Sequence, residues 1–589
     1  MKFKDLSVYL EKLEHTTSRN AMIEILAQVF KKASVAEIDK MVYLLQGRVA
    51  PLYEPLEFGM AEKQMLKAIA FAYQVPGREA LSLYKRKGDL GEVAEELAKK
   101  SRGGEDSVSE VFDELKEVAQ TQGEGSVEKK MAIIAKLLKS LDPLSARFVT
   151  RIPVGKMRLG FSDMTVLDAL SFMIDGTKEH RKDIEPVFNI RPDLGYIART
   201  VRGKGVKGLD AATPVPFTPV LMARAERLSS GDEIIKKIGK CAVEPKFDGF
   251  RLQVHVIRSD VKLFTRNLED ATFMYPDIVE GVKRQIKARE AIFEGEAIAY
   301  NPETGEYLPF QETVQRKRKY GIEEMAKKIP LKLICFDLLF INGKNLIDRP
   351  YTERRKELSS IIHIDDTVLL ADEKIIDNAR DLENFFDDAV SRGLEGILAK
   401  KLDGTYQAGA RGWNWVKFKR SYSAHLEDTI DCLVMGHNAG RGKRAAFGLG
   451  AFLIGVYDKK EDKFVTVAKI GTGLTDEEWR ELYKRAEKLR AREKPPLYEV
   501  DKMLEPDVWI ESEIVVEIRA DEITRSPIHT AGRILKPSKS GGAFVIDVPG
   551  FALRFPRLER FRDDKKPEDI TSLSEIKQMF KGQRKEKSV

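Results

Sequence analysis

The sequence predicts a multidomain chain with an all-α N-terminal part, an α+β middle part and a C-terminal part built as a small β-barrel. Three observations predict it. Apolar residues step by three and four through the first 200 positions, as helix faces require. A cluster of breakers, Gly203, Gly205, Gly208, Pro214 and Pro216, then ends that rhythm. Beyond it β-like runs alternate with helical stretches, and after about residue 420 the strands shorten.

The first helix is marked by Phe3, Leu6, Leu10 and Leu13 on one face. Ser34-Val-Ala-Glu37 reads as a capping box opening a helix with Ile38, Met41 and Leu45, with Gly47 just past its end. Met131, Ile134, Leu138 and Leu141 form another face, which Asp142-Pro143 stops. Ser101–Ser107 is a polar loop between helices. Arg158-Leu-Gly160-Phe-Ser162-Asp163 leads into a further helix capped by Ser162 or Asp163. A glycine before that helix, beside Lys156 and Arg158, could receive a phosphate, and an ordinary capped turn is an equal reading. In the middle part, strands are predicted at 252–257, 261–265, 291–300, 331–340 and 396–400, with helices at 277–289 and 379–392. The last part reads as strands at 433–436, 451–457, 464–468, 514–519 and 552–555 around one charged helix, 476–490. Five short strands with one helix suit an OB-type barrel. The basic end Lys581–Lys587 is expected to fray.

Composition narrows the class. The 100 Lys+Arg against 93 Asp+Glu give a net charge of +7, and 42% hydrophobic residues describe a folded, soluble chain. No apolar run approaches the roughly 18 residues of a membrane span, and Met1–Asp5 begins no signal segment. Cys241, Cys335 and Cys432 lie too far apart for a Cys-rich zinc module, and a cytoplasmic location fits. Basic strings at 199–207, 316–319 and 441–444 allow a nucleic-acid footprint, although each alone reads as solvated surface.

The sharpest local feature is Glu244-Pro-Lys246-Phe-Asp248-Gly249-Phe-Arg251. A lysine before an Asp-Gly turn at a sheet edge is placed for nucleophilic work, with Asp248 as hydrogen-bonding carboxylate and Arg251 as a forked cation for phosphate. Glu395-Gly396-Ile-Leu-Ala-Lys400 puts a carboxylate and an ammonium at opposite ends of one strand. Trp415-Val-Lys417-Phe-Lys419 points two lysines to one sheet face, where like charges are costly unless an anion lies between them. Glu294-Gly295-Glu296 offers carboxylates for a sugar hydroxyl or a metal, and Phe336 an aromatic for a base.

Together these motifs resemble the covalent nucleotidyltransferase superfamily, specifically ATP-dependent DNA ligases of the archaeal/eukaryotic replicative type. The resemblance covers essentially the whole chain. Lys246–Arg251 resembles the nucleophile motif, followed in order by Thr265-Arg266-Asn267, Glu294–Glu296, Phe336-Asp337, Glu395–Lys400, Trp415–Lys419 and Arg562-Asp-Asp564-Lys565. It implies a helical DNA-binding domain over 1–212, an adenylation domain over 213–420 and an OB-fold over 421–589. It also implies ATP with Mg²⁺, for which Mn²⁺ could substitute, and nicked duplex DNA as substrate for a monomer associated with the nucleoid.

The resemblance assigns roles as well. Lys246 attacks the α-phosphate, helped by Asp248. Glu244 reads adenine, Glu296 holds ribose and Phe336 stacks. Arg251, Arg266, Arg411, Lys417, Lys419 and Arg562 meet phosphates, and Glu395 and Glu296 meet the metal. Asp564 and Lys565 orient the leaving pyrophosphate, while Phe310, Phe555, Lys156, Arg158 and Gly160 touch DNA. An amine attacks only when neutral, so the pKa of Lys246 must fall, and Mg²⁺ with Arg251, Lys417 and Lys419 would push it down.

Departures from the pattern matter too. Nothing here builds the zinc finger of NAD-dependent ligases. The loop around Ser101–Ser107 lacks a Gln-x-x-aromatic stretch for a sliding clamp. Rival readings are an RNA ligase or a capping-type guanylyltransferase of the same superfamily, a nucleic-acid-binding protein without catalysis, and a Schiff-base lysine enzyme. The long helical N-terminal part speaks against the first two.

Overall fold

A computed structural model describes all residues except 101–102, 229, 303–306, 309, 319, 364, 392–393, 420–428, 440–447, 472–473, 538–543, 555 and 586–589. Phe555, the basic string 441–444 and parts of the loop 101–107 and of the string 316–319 therefore lie outside the described residues. The chain divides into two units. The first comprises Met1–Phe385 with Ile397–Lys417, and the second Phe386–Gly396 with Phe418–Val589.

In the first unit, helices from Phe3–Glu14 to Leu194–Lys204 pack their apolar stripes into one continuous core running from Phe3 to Leu209. Phe3, Leu6, Leu10 and Leu13 are all buried in it, so the 3–4 spacing does locate the inward face. Asp142 accepts hydrogen bonds from the Leu144 and Ser145 amides, so Asp142-Pro143 opens the helix Pro143–Arg151 as well as following Ser126–Ser140. Ser162 is the cap of Asp163–Asp175.

The Ser34–Glu37 box needs correction. The helix begins one turn later, at Ile38, and only half the box forms. Glu37 accepts from the Ser34 amide at 3.1 Å, but its carboxylate is also drawn to the Met1 ammonium at 2.9 Å.

The rest of the first unit is built on two sheets. One runs β1 (Arg224–Arg227), β11 (Arg411–Lys419), β10 (Gly396–Lys401), β2 (Cys241–Lys246), β9 (Lys374–Ile376). The other runs β4 (Asp260–Thr265), β3 (Phe250–Ile257), β5 (Glu290–Ala299), β6 (Leu331–Ile341), β7 (Lys344–Asn345), with β8 (Val368–Leu370) beside β6. The inner residues Leu252, Val254, Phe293 and Leu333 form its core with the helix Pro276–Gln285. Tyr53 of the helical region packs on Phe264 and Leu268, joining that region to the second sheet.

The other face of β3 is polar. His255, Gln253 and Arg251 alternate along it, and all three hold the segment 217–223. His255 Nδ1 accepts from the Phe217 amide at 2.9 Å, Gln253 bonds both backbone groups of Val220, and Arg251 donates to the Ala223 carbonyl at 2.7 Å.

The second unit has more strands than the five expected. β12 (Ile430–Ala439), β13 (Leu449–Asp458) and β14 (Lys463–Ile470) form its antiparallel centre. The short β15 (Arg490–Ala491), β16 (Tyr498–Glu499) and β17 (Val508–Ile510) extend the edges. β18 (Val515–Arg519) pairs with β12 and with β23 (Arg557–Phe561). β19 (Glu522–Ser526) pairs with β22 (Gly550–Arg554), and β20 (Ile534–Pro537) with β21 (Phe544–Val548). Among the described residues the strands do not close into a barrel.

The charged helix Asp476–Lys488 buries Trp479 and Leu482 against this sheet. The basic end does not fray at Lys581, because the helix Leu573–Lys585 continues through it, anchored by buried Leu573 and Ile576. No helix of the described residues is long and apolar enough to cross a membrane.

Candidate functional site

Lys246 ends β2 and Phe250 begins β3, so the turn 247–249 is where the chain passes from one sheet of the first unit to the other. A cavity of about 480 Å³ opens at this crossing, a size that suits a nucleotide. Gly249 is required at the turn. A Cβ there would meet the Ala297 carbonyl oxygen at 2.3 Å, and its amide donates to Glu296 at 3.2 Å.

Of the residues expected from sequence, Glu244, Lys246, Arg251, Arg266, Glu296, Phe310, Phe336, Arg411 and Lys417 all line this cavity. Segments separated by nearly 200 residues thus converge on one space.

At one end lies Glu244. Its carboxylate takes a hydrogen bond from the Tyr351 hydroxyl at 2.7 Å and faces the Lys400 ammonium at 2.7 Å. Burial pushes the Glu244 carboxyl upward and the Lys400 ammonium downward, and their mutual attraction opposes both shifts. Lys400 also donates to the Phe336 carbonyl at 2.8 Å and is surrounded by Phe336, Tyr351 and Trp415. Phe336 meets Trp415 edge-on at 6.0 Å, making an aromatic wall.

Arg251 is more structural than its forked shape suggests. One arm holds the Ala223 carbonyl and the other pairs with Glu294 at 2.7 Å, which also accepts from the Tyr406 hydroxyl. Glu294 is thereby committed inside the protein and raises the guanidinium's pKa against the opposing effect of burial. Asp337 is committed likewise: with both partners fully buried, it takes two hydrogen bonds from Arg354, at 2.7 and 3.0 Å.

Lys419 pairs with Glu395 at 2.5 Å in the second unit, whereas Lys417 lines the cavity. Lys419's charge is therefore met by a carboxylate. Among the described residues no three side chains of metal-ligating type converge. Of the two carboxylates expected to meet a metal, Glu296 lines the cavity and accepts from the Gly249 amide at 3.2 Å, and Glu395 pairs with Lys419 at 2.5 Å.

Elsewhere, Arg562 bonds Asp564 and Asp431, and Lys565 pairs with Asp431 at 2.5 Å, all in the second unit. Lys156 pairs with Glu62, and Arg158 with Asp89 at 3.2 Å, beside Gly160 at φ 73°. Phe310 packs against Phe250, with ring centres 5.6 Å apart.

The sequence reading missed three participants, Tyr351, Arg354 and Arg224, and named Lys400 without assigning it a partner or a role. Arg224 lines the cavity from β1. The signal for Lys400 was present, since a lysine ending an apolar strand needs a buried partner. Tyr351 and Arg354 carried none, because a helix face names no ligand.

Comparison with known proteins agrees with this geometry. Residues 222–419 match the profile of the ATP dependent DNA ligase domain, residues 2–171 the DNA ligase N terminus and residues 445–565 the ATP dependent DNA ligase C terminal region. The chain is 48% identical over 588 residues to a probable DNA ligase of Dictyoglomus turgidum, covering 100% of this chain and 99% of that protein. It is 43% identical to DNA ligase 2 of Thermofilum pendens, covering 98% and 97%. In fold it is similar to the solved structure Pmar-Lig_PreS3, with a TM-score of 0.54 and 16% identity, covering 94% of this chain and 99% of that one. The chain belongs to the ATP-dependent DNA ligase family.

Proposed function

We propose that this protein seals 5′-phosphate/3′-hydroxyl nicks in duplex DNA in three steps, with Lys246 as the covalent nucleophile. The observation that most supports this reading is the placement of Lys246 at the sheet crossing, in one cavity with the buried Glu244 carboxylate and with Arg224, Arg251, Arg266 and Arg411. Neutral Lys246 attacks the α-phosphorus of ATP. The N–P bond forms as the bond to pyrophosphate breaks, and the amine's proton leaves to solvent or to Asp248. AMP then passes to the 5′-phosphate of the nick, freeing Lys246. Finally the 3′-hydroxyl attacks that phosphorus and AMP leaves.

The chain's own groups prepare these steps. Glu244 accepts a hydrogen bond from the adenine amino group, Phe336 stacks on the ring and Glu296 holds the ribose. Arg251, Arg266, Arg411 and Lys417 oppose the negative charge that builds on phosphorus. Glu296 would hold Mg²⁺, which supplies further charge neutralisation, with Mn²⁺ as a substitute; Glu395, the second carboxylate expected to meet the metal, is held by Lys419. Arg562, Asp564 and Lys565 orient the departing pyrophosphate.

The domain limits 1–212, 213–420 and 421–589, with an OB-fold last, belong to this reading. So does a cytoplasmic, nucleoid-associated monomer gripping DNA through Phe310, Phe555, Lys156, Arg158 and Gly160. DNA phosphates would compete with Glu62 and Asp89 for those two cations, so binding should weaken steeply with salt. A sliding clamp would need a surface other than the loop 101–107.

The test is incubation with α-labelled ATP and Mg²⁺, followed by denaturing electrophoresis. The wild type should carry one labelled band that disappears in Lys246→Ala. Full labelling of that variant would refute the nucleophile.

A further inference from the structure

We propose that Arg224 is a phosphate-binding residue of this site, acting as one half of a guanidinium pair with Arg411; the proposal rests on the nucleotidyl-transfer reading above. β1 and β11 run parallel, and Arg224 and Arg411 are direct partners in their register. Paired residues on neighbouring strands project from the same face, with their backbones about 4.8 Å apart. Two like charges so placed repel each other, which destabilises the pair unless an anion lies between them.

Among the described residues no carboxylate pairs with either guanidinium. Among the described residues, Arg224, Arg266 and Arg411 make no ion pair or side-chain hydrogen bond, whereas two other cations of the same cavity, Arg251 and Lys317, pair with Glu294 and Glu269. All three line the cavity that holds Lys246. Arg266 feels the repulsion directly, since its pKa is lowered first by burial and then by the charges of Arg251, Arg224 and Arg411.

The fold also fixes Arg224 in place. The Ala223 amide donates to the Tyr406 hydroxyl at 2.9 Å, the Ala223 carbonyl accepts from Arg251 at 2.7 Å and the Arg224 amide donates to the Ala410 carbonyl at 3.0 Å. Arg224 is exposed on β1, yet its backbone is not free to shift. Here the backbone is held from three directions while the guanidinium is left facing the cavity. Two guanidinium forks side by side match the several oxygens of a terminal or bridging phosphate. Such a phosphate comes either from the ATP tail or from the 5′ end of the nick.

The experiment compares wild type, Arg224→Ala and Arg224→Lys in three assays on the full chain: self-labelling with α-labelled ATP, transfer of AMP to a 5′-phosphorylated nick, and closure of a pre-adenylated nick. If the ATP tail is the ligand, Arg224→Ala raises the KM for ATP in self-labelling about tenfold or more while closing the pre-adenylated nick normally. If the nick phosphate is the ligand, self-labelling is unchanged and the labelled enzyme accumulates because transfer slows. In either case Arg224→Lys recovers part of the loss. Wild-type values for Arg224→Ala in all three assays would overturn the proposal. So would equal losses in all three accompanied by a lowered melting temperature, which would make Arg224 a structural residue. Failure of the wild type itself to self-label would instead remove the nucleotidyl-transfer reading.

Discussion

The Glu244 carboxylate, 2% exposed, faces the fully buried Lys400 ammonium at 2.7 Å, and only Glu244 of the two reaches the cavity. Lys400 is a positioning residue in this arrangement: its charge, with Arg355 and the Tyr351 hydroxyl, opposes the upward shift that burial imposes on the Glu244 carboxyl and so favours the ionised form that accepts a hydrogen bond. Without that cation, burial pushes the carboxyl further toward its protonated form, and an acid donates where a carboxylate accepts.

Lys400→Met should therefore raise the KM for ATP in self-labelling by roughly tenfold to a hundredfold and narrow the preference for ATP over GTP. Because the missing cation had lowered the Glu244 pKa, the acid limb of the ATP-dependent rate should move to higher pH in the variant. A variant with reduced rate but unchanged nucleotide preference and pH profile would contradict this role.

Asp337 follows an aromatic in a cavity-lining segment, yet its function is internal. Removing one partner of its fully buried pair with Arg354 strands the other charge, at a cost of about 3–5 kcal/mol. Asp337→Ala should lower the first melting transition by several degrees in calorimetry. Arg354→Met should do the same, and the double variant should lose less than the two single losses added together.

His255 predicts a dependence on pH. Its Nδ1 accepts from the Phe217 amide, its Nε2–H donates to Gln253 at 2.9 Å, and burial with the nearby Lys262 cation lowers its pKa to about 3. The unfolded chain takes up the proton near pH 6.5, whereas the folded chain resists until about 3. The stability due to neutral His255 is thus complete above the unfolded pKa and is lost as pH falls toward the folded one. Between pH 7 and 5 this one group should cost about 2 kcal/mol. Denaturant unfolding of wild type and His255→Gln at both pH values should show that difference in slope; parallel pH dependence would argue against it.

Much was legible in the sequence because it is written in local patterns. The helix face of Phe3, Leu6 and Leu10 and the strands of the middle part need only periodicity and residue type, and the order of the motifs from Lys246 to Lys419 is legible through their resemblance to the ligase family. Even Gly249 could be read, since an Asp-Gly turn asks for it.

Pairing across the chain was not legible. Whether a charged residue meets substrate or another side chain depends on what folds against it. Glu294, Asp337, Glu395 and Lys419 look available in sequence but are matched within the protein. Arg224, a plain surface arginine by composition, is brought opposite Arg411 by a strand pairing that joins residues almost 190 positions apart. Local sequence determines which elements form, because backbone sterics and apolar spacing act over a few residues. Burial and partnership of charge are settled only when distant segments exclude water together, and that belongs to the tertiary structure.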